Sequence, residues 1–193
     1  QGIPRRTSRS VTRVRQPDHL VVMGVSGSGK TTLAHALQQR LDLAYAEADD
    51  FHPAANITKM QAGTPLDDAD RWPWLAALTE WMTAQHAAGI ATVVTCSALK
   101  RSYRGVLDSA SGEVAFVHLA GDASVIAQRM TARTDHFMPT SLLSSQIAAL
   151  EELKPEENGL TLDIDARPGD LVDAGVQWLS GNANTTTRQA LAP

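Results

Sequence analysis

The chain has 193 residues, of which 43% are hydrophobic, and this fits one domain with a single core better than two domains. Five arginines precede the first acid, Asp18, so the rest of the chain is more acidic than its formal net charge of −4 indicates. An acidic body argues against broad binding to nucleic acid, and no apolar run approaches the length that crosses a bilayer. The single cysteine, Cys96, excludes an internal disulfide and favours a reducing cytoplasm.

The first segment, residues 1–18, is basic, polar and without an apolar period. This composition predicts a disordered head or a remnant of an expression vector, and a nucleic-acid-binding arm is the alternative. The polar residues 182–193 are predicted to form a tail. A single domain is therefore expected over residues 19–181.

Short apolar runs alternate with helical patterns along this domain. The runs that predict buried strands are Leu20–Met23, Ala44–Ala46, Thr92–Cys96, Ala115–Leu119 and Leu160–Ile164. The predicted helices are Thr31–Leu41, Pro73–Ala88, Leu99–Asp108, Ala123–Arg133, Ser141–Leu150 and Pro168–Leu179. Alternation of this kind is typical of an α/β fold with a parallel sheet that helices cover on both faces.

The first strand is followed by Gly24–Thr31, which matches G-x-x-x-x-G-K-[ST] and leads directly into the first helix. Its glycines let successive backbone N–H groups turn inward, and the positive end of the helix dipole faces the same space. The segment therefore predicts a polyphosphate site in which Lys30 reaches the β- and γ-phosphates and the Thr31 hydroxyl binds Mg²⁺. The predicted nucleotide-binding residues here are Gly24, Ser26, Gly27, Ser28, Gly29, Lys30, Thr31 and Thr32.

Two absences from the sequence narrow the class of nucleotide-binding protein. Neither Asp-x-x-Gly nor Asn-Lys-x-Asp, which a GTPase is expected to carry, occurs in the chain. The strand Thr92–Cys96 also ends without the Asp with which motor ATPases and switch proteins hold the hydration shell of the metal. The sequence therefore favours a kinase whose carboxylate comes from another strand.

Acidic side chains follow the second strand, at the carboxyl edge where open parallel sheets bind ligands. Asp49 is predicted to orient the acceptor hydroxyl and accept its proton, and Glu47 is predicted to hold Mg²⁺ through water. Asp50 is predicted to cap the helix that Pro53 begins.

The next polar residues, His52, Asn56 and Lys59, are spaced i, i+4 and i+7, so one helix would carry them in a narrow stripe. Such a stripe suits the hydroxyls and carboxylate of an acceptor, and a solvated polar face has the same pattern. In the turn-rich segment Gly63–Trp74, Arg71 is the only cation among three acids. It is predicted either to contact the acceptor or to pair locally.

Three cations, Lys100, Arg101 and Arg104, lie at the start of the helix that follows the third strand. A helix dipole favours acids at that end, so a nearby anion is expected. This anion is either the carboxylate of an acceptor or a set of surface acids.

Taken together, these segments resemble the gluconate kinase family of P-loop kinases, which are relatives of shikimate and adenylate kinases. The resemblance covers about residues 20–165. The motifs that carry it are Gly24–Thr31; His52-Pro53 with Asn56 and Lys59-Met60; Gly63 with Pro65-Leu66, Asp70-Arg71 and Pro73-Trp74-Leu75; Cys96-Ser97-Ala98-Leu99-Lys100 with Tyr103-Arg104; and His136-Phe137-Met138 with Ser145-Gln146. The acid-Gly-acid pattern usual after the second strand of such kinases is Glu47-Ala48-Asp49 here, which keeps both acids.

The resemblance implies a fold and an activity. The expected fold is the three-layer P-loop kinase fold, with a five-stranded parallel core, a flap at the acceptor and a lid over the nucleotide. The expected reaction is transfer of the γ-phosphoryl group of ATP, with Mg²⁺, to the 6-hydroxyl of D-gluconate, which gives 6-phosphogluconate. Because the family is cytoplasmic and commonly dimeric, the resemblance implies a cytoplasmic homodimer, with no nucleic-acid or membrane partner expected.

The resemblance also assigns residues to the lid and to the acceptor site. It implies Arg129 at the adenine or phosphates, Arg133 as the group that stabilises charge during transfer, and Arg167 in the loop beside the adenine. The acceptor-binding residues that it implies are Asp49, His52, Asn56, Lys59, Arg71, Lys100, Arg104, His136 and Gln146. An exposed basic helix face is the alternative for Arg129 and Arg133. A kinase of another small acceptor, such as shikimate or a different aldonate, and a nucleotide-binding switch are the alternative functions.

Overall fold

A computed structural model of the protein describes residues 16–131 and 143–181. The strands in these segments are β1 His19–Met23, β2 Ala44–Glu47, β3 Thr92–Cys96, β4 Val114–Ala120 and β5 Gly159–Asp163. The helices are α1 Lys30–Leu41, α2 Ala54–Gln61, α3 Asp68–Ala87, α4 Arg101–Asp108, α5 Ala123–Thr131, α6 Leu143–Ala149 and α7 Pro168–Gly181. A short 3₁₀ helix, Ala48–Phe51, connects β2 to α2.

The strands form one parallel sheet in the order β2-β3-β1-β4-β5. Helices α1 and α7 pack on one face, and α3 and α4 pack on the other. β1 is buried along its whole length because both faces are covered, and it accordingly has an almost continuously apolar sequence. The predicted α/β fold with a five-stranded parallel sheet is confirmed. In the described part of the chain, no helix has both the length and the apolar character that crossing a bilayer requires.

Helix α3 begins at Asp68, ahead of its predicted start at Pro73. The Asp67 side chain accepts a hydrogen bond from the Asp70 backbone N–H (2.9 Å), and the Asp70 carboxylate accepts one from the Asp67 N–H (3.0 Å). This reciprocal capping box satisfies backbone N–H groups at the helix end and so determines where the helix starts. Pro73 consequently lies inside the helix, and the second half of the segment that was predicted to be turn-rich is helical.

The predicted cap of α2 is wrong. Asp50 lies within the 3₁₀ helix, and the N-cap position of α2 is taken by Pro53 with no side-chain cap. The extra turn of 3₁₀ helix separates Asp50 from the start of α2, so its carboxylate cannot reach the N–H groups there and stays exposed.

The loops that follow β1 and β3 meet at the carboxyl edge of the sheet. Gly24, at the end of β1, donates its backbone N–H to the carbonyl oxygen of Ser97, which follows β3 (3.3 Å). Gly24 has a φ of 143°, and a Cβ at this position would lie 2.8 Å from the carbonyl oxygen of Leu119. Only glycine permits this close approach, which joins the phosphate loop to the neighbouring strands.

His118 on β4 is a buried histidine. It is 1% exposed, and neither ring nitrogen has a hydrogen-bond partner among the residues that the structure describes. Burial, together with the nearby Arg104 guanidinium, lowers the pKa of His118 to about 4. The side chain is therefore neutral in the folded protein at physiological pH.

We expect His118 to make the fold sensitive to acid. Below its ordinary pKa of 6.5, the unfolded chain takes up a proton at this side chain that the folded chain excludes, so the free energy of unfolding falls as the pH falls towards 4. This group accounts for about 3 kcal/mol of that loss at most. His118→Leu should remove this part of the loss, and His35→Leu, at an exposed site, should keep the wild-type pH dependence.

Urea unfolding between about pH 7 and about pH 4.5 measures the effect. Equal acid sensitivity of the His118 and His35 variants would contradict the assignment.

Candidate active site

The phosphate loop, residues 24–31, turns from β1 into α1 as the motif predicts. Gly29 occupies the N-cap position of α1 with a φ of 97°, a left-handed conformation that favours glycine. The Lys30 ammonium lies 3.0 Å from the carbonyl oxygen of Val25, so its side chain folds back across the loop. The loop therefore has the backbone conformation and the cation that a phosphate site requires.

A cavity of about 440 Å³ opens beside the phosphate loop. Its walls come from the loop, from α1 and from the connection between β5 and α7, and they are mostly apolar. The predicted nucleotide-binding residues that line it are Gly27, Ser28, Gly29, Thr32 and Arg129. An apolar cavity next to a phosphate loop suits the base and ribose of a nucleotide.

Two arginines in the described part of the chain, Arg129 and Arg167, were predicted to lie near the nucleotide, and only Arg129 lines the cavity. Arg129 on α5 lines the cavity and donates a hydrogen bond to the carbonyl oxygen of Ile164 (2.9 Å). Arg167 is 85% exposed, pairs with Asp170 at 2.8 Å and does not line the cavity. The predicted loop therefore reaches the cavity through Ala166, next to Arg167, and not through the Arg167 side chain. Arg133 lies outside the described residues.

Glu47, the last residue of β2, accepts hydrogen bonds from three hydroxyl groups. They belong to Tyr45 (2.5 Å), to Thr31 in the phosphate loop (3.2 Å) and to Thr95 on β3. Burial and the hydrogen bond to Glu47 raise the pKa of Tyr45, so its hydroxyl stays protonated as a donor. These three donors determine where the Glu47 carboxylate points.

Tyr45 and Thr95 were not predicted as parts of the site. Tyr45 lies two residues before Glu47 on one strand, so strand alternation places both side chains on the same face, and this signal was available in the sequence. Thr95 pairs with Glu47 across β2 and β3, and only the strand order shows that pairing.

The residues around Glu47 fit a Mg²⁺ ion bound to a nucleotide. Thr31 and Glu47 offer a hydroxyl and a carboxylate, which are the hard oxygen ligands that Mg²⁺ prefers, next to the phosphate loop. Within residues 16–131 and 143–181, no group of three or more His, Cys, Asp or Glu could hold a metal by itself. Mg²⁺ in kinases needs few protein ligands because phosphate oxygens and water supply the others.

A second, smaller cleft also reaches the phosphate loop. The predicted site residues that line it are Ser26, Lys30, Glu47, Asp49, His52, Arg71 and Gln146. The Asp49 side chain, on the 3₁₀ helix, is 58% exposed. Arg71 on α3 donates through Nε and one terminal nitrogen to the carbonyl oxygen of Leu66 (3.3 and 3.1 Å), which orients its guanidinium. A carboxylate and a guanidinium therefore line the same cleft.

His52 lies in the wall of this cleft as a neutral side chain. Its side chain is 3% exposed, and its ring stacks on the Trp74 ring with 4.1 Å between centroids. Burial, with the nearby charge of Arg71, lowers the pKa of His52 to about 4. The ring therefore has one protonated nitrogen at physiological pH.

Cys96, at the end of β3, also lines the cleft. Burial raises the pKa of its thiol to about 12. The thiol is therefore protonated at neutral pH.

Helix α6 contacts the phosphate loop through Gln146. The side-chain oxygen of Gln146 accepts a hydrogen bond from the Ser26 backbone N–H (2.7 Å), and the residue is 9% exposed. This contact brings the predicted residue Gln146 to the junction of the loop and the cleft. His136 lies outside the described residues.

Among the described residues, four that were predicted to bind the acceptor do not line the cleft, and three of these connect helices. Asn56 is 3% exposed and donates to the backbone carbonyl oxygen of Asp70 (2.8 Å). The Lys59 ammonium bonds both oxygens of the Asp70 carboxylate (2.7 and 2.8 Å). Lys100 pairs with Asp68 at 2.8 Å. These contacts connect α2 and the start of α4 to the first turn of α3.

The prediction that the fourth residue, Arg104, contacts the acceptor is wrong, because its side chain is buried. Its guanidinium is 1% exposed and pairs with Glu157 at 2.5 Å. It also donates to the carbonyl oxygens of Ala98 and Glu151, each at 3.0 Å. The segment around residues 151–157 packs over α4, so the charge of Arg104 is satisfied inside the protein.

The sequence matches a protein-family model and a known protein over most of the domain. A protein-family model described as an AAA domain matches residues 20–153. A gluconokinase of Gluconobacter oxydans (strain 621H) is 52% identical over 136 residues, which cover 70% of this chain and 76% of that protein. The chain belongs to the gluconokinase family. The family resemblance predicted from the motifs is therefore confirmed.

Two solved structures of similar proteins have the same fold. A sugar kinase from Janibacter sp. HTCC2649, in an unliganded crystal structure, gives a TM-score of 0.81 at 55% identity and covers 83% of this chain and 93% of that chain. A gluconokinase from Sinorhizobium meliloti 1021 gives a TM-score of 0.79 at 43% identity, covering 88% of this chain and 95% of that chain. The parallel sheet with helices on both faces is thus shared with a solved sugar kinase and a solved gluconokinase.

Ala48 lies between the two acids Glu47 and Asp49 at the end of β2. Ala48 is 1% exposed, and its carbonyl oxygen accepts a hydrogen bond from the Trp74 indole (2.6 Å). The methyl group therefore fits inside the core, and both Glu47 and Asp49 still line the cleft.

Proposed function

We propose that this protein transfers the γ-phosphoryl group of ATP to the 6-hydroxyl of D-gluconate and so forms 6-phosphogluconate and ADP. The observation that carries the proposal is the cleft that Asp49 and Arg71 line together with Lys30 of the phosphate loop. A sugar acid offers a hydroxyl to the carboxylate and a carboxylate to the guanidinium. The gluconokinase name of the similar Gluconobacter oxydans protein supports the same acceptor.

Asp49 is the proposed base. Its carboxylate orients the acceptor hydroxyl and takes the proton while the hydroxyl oxygen forms a bond to the γ-phosphorus. The bond between this phosphorus and the bridging oxygen breaks, and its electron pair leaves with ADP. Lys30 stabilises the charge on the β- and γ-phosphates during this step.

The nucleotide is proposed to lie with its base and ribose in the apolar cavity, beside Arg129. Thr31 and Glu47 would hold Mg²⁺, the first through its hydroxyl and the second through water. When bound, Mg²⁺ neutralises phosphate charge. Arg133 is proposed to stabilise the charge that develops on the transferred group.

Arg71 is the proposed ligand of the gluconate carboxylate. Of the four predicted acceptor-binding cations in the described part of the chain, Arg71 is the one that lines the cleft. Lys59 and Lys100 pair with acids of α3, and Arg104 is buried. His52 and Gln146 are proposed to form the other walls of the cleft around the acceptor.

An assay of ADP release across a panel of acceptors tests the proposed function. The panel contains D-gluconate, a second aldonate, shikimate and a nucleoside monophosphate. Turnover should require D-gluconate and be negligible with shikimate and the nucleotide. Steady ADP release that is independent of the acceptor, or equal release with all acceptors, would overturn the proposal.

Arg71→Met should raise KM for D-gluconate by about 10- to 100-fold, because it removes a charge-assisted hydrogen bond to the carboxylate. KM for ATP should change little. Arg101→Met is the matched control, since Arg101 forms an exposed pair with Glu156 and does not line the cleft. An unchanged KM for D-gluconate in Arg71→Met would exclude Arg71 as the carboxylate ligand.

The cellular location, the oligomeric state and the metabolic role of the protein are proposed from the family resemblance. We expect the protein to act in the cytoplasm as a homodimer, within carbohydrate metabolism, where 6-phosphogluconate enters the pentose phosphate pathway. Residues 19–181 are proposed to form the single kinase domain.

A further inference from the structure

The two ring nitrogens of His52 face different partners. Nδ1 lies 3.3 Å from the side-chain nitrogen of Asn56, and Nε2 lies 3.7 Å from a carboxylate oxygen of Asp49. The ring is fixed between these groups because it stacks on Trp74 and is almost fully buried. His52 therefore connects a buried amide to the residue proposed as the base.

The orientation of the Asn56 amide follows from a second contact. The same amide nitrogen lies 2.8 Å from the backbone carbonyl oxygen of Asp70. A carbonyl oxygen can only accept a hydrogen bond, so the atom facing it is the NH₂ group and not the amide oxygen. One hydrogen of this NH₂ group is donated to Asp70, and the other is available for His52.

The tautomer of His52 follows from the amide orientation. Because Asn56 donates to Nδ1, this nitrogen is the acceptor and carries no hydrogen. The ring is neutral, so its single hydrogen is on Nε2, which is the nitrogen that faces Asp49. Asn56 is buried and does not line the cleft, and both of its amide hydrogens have partners inside the protein.

We propose that Asn56 and His52 are positioning residues, in which Asn56 selects the Nε2–H tautomer of His52 and this N–H orients the Asp49 carboxylate towards the acceptor. The inference rests on the proposed role of Asp49 as the base. The observed 3.7 Å is longer than a hydrogen bond, and we expect the contact to shorten when the acceptor binds, as contacts at catalytic sites commonly do. A neutral donor suits this task, because a cation at the same place would weaken the carboxylate as a base.

The first test compares two substitutions of His52. His52→Leu removes the donor and should lower kcat for D-gluconate by about 10- to 100-fold, the effect of a misplaced catalytic group, with little change in KM for ATP. His52→Gln offers an amide N–H near the position of Nε2 and should recover most of that loss. Equal kcat values in His52→Leu and the wild type would overturn the proposal, as would equal losses in the two variants.

The second test determines the tautomer of His52 directly by NMR. Long-range ¹H–¹⁵N correlation spectra of the wild type should show a protonated Nε2 and an unprotonated Nδ1 in His52. Asn56→Leu removes the donor to Nδ1, so the Nε2–H tautomer is no longer selected, and kcat should fall in the same direction as in His52→Leu. A wild-type ring protonated at Nδ1 would overturn the proposal. If Asn56→Leu does not fold, the wild-type spectrum and the His52 pair still decide the question.

The double variant Asp49→Asn/His52→Leu separates this inference from the proposed function. If His52 acts through Asp49, then His52→Leu should cause no further loss in the Asp49→Asn background. A full additional loss there would show that His52 acts independently of Asp49 and would overturn the inference. Wild-type activity in Asp49→Asn alone would instead refute the base assignment on which the inference rests.

Discussion

Asp49→Asn is expected to lower kcat with D-gluconate on the order of 10²- to 10⁴-fold, which is the usual contribution of a positioned general base. Asparagine has nearly the shape of aspartate, but it cannot take up the proton of the acceptor hydroxyl. Asp49 lines the small cleft and not the apolar cavity, so the dissociation constant of ATP should remain close to that of the wild type. Coupled ADP release measures kcat, and calorimetric titration measures ATP binding.

Asp50→Asn is the matched control for this experiment. Asp50 is the next residue in the same 3₁₀ helix, has the same charge and is exposed, but it does not line the cleft. Its substitution should leave kcat within about 2-fold of the wild type, as expected for a surface site. Similar losses in the two variants would show that the charge of the segment matters and that Asp49 has no specific role.

Arg104→Met is expected to cost about 3–5 kcal/mol of the free energy of unfolding, because it breaks a buried ion pair and leaves a carboxylate without its cation. Burial by itself would raise the pKa of Glu157, and the hydrogen bonds from Arg104 and the Lys154 backbone lower it. The substitution also removes donors from the carbonyl oxygens of Ala98 and Glu151. Ala98 has a left-handed φ of 46°, a strained conformation that the surrounding contacts must maintain.

Arg101→Met is the matched control for stability, three residues earlier on α4. Arg101 pairs with Glu156 at 2.8 Å, and the two side chains are 53% and 55% exposed. Exposed pairs of this kind contribute at most about 1 kcal/mol. Urea unfolding of both variants tests the difference, and a loss of the same size in each would contradict a structural role for Arg104. In the double variant Arg104→Met/Glu157→Gln, part of the loss should be recovered because no buried charge is left unpaired.

The anionic partners of the three cations at the start of α4 could not be predicted from the sequence. Their clustering correctly indicated nearby anions, and both an acceptor carboxylate and protein acids were open as partners. In the structure Lys100, Arg101 and Arg104 pair with Asp68, Glu156 and Glu157. These acids come from α3 and from the segment before β5, so no local pattern could identify them.

The stripe of His52, Asn56 and Lys59 had a similar outcome. The prediction that one helix carries all three residues is wrong for His52, which precedes the start of α2 at Ala54. The spacing also does not show what these side chains contact. The start of α3 packs against them, so Asn56 and Lys59 bind Asp70 and only His52 reaches the cleft. The capping box that places Asp70 there was itself missed because Pro73 was taken as the first residue of the helix.

Local sequence patterns were enough to predict the parallel α/β fold, the phosphate loop with Lys30 and Thr31, and the carboxylates Glu47 and Asp49 at the carboxyl edge of the sheet. These features depend on residues that are close together in the chain, where apolar periodicity and glycine positions specify the backbone directly. The sequence could not show that Arg71 lines the cleft while Lys59, Lys100 and Arg104 do not, because this depends on how the helices pack. A long cationic side chain pairs with whichever carboxylate the fold brings within reach, and Glu157 is 53 residues away from Arg104 in sequence.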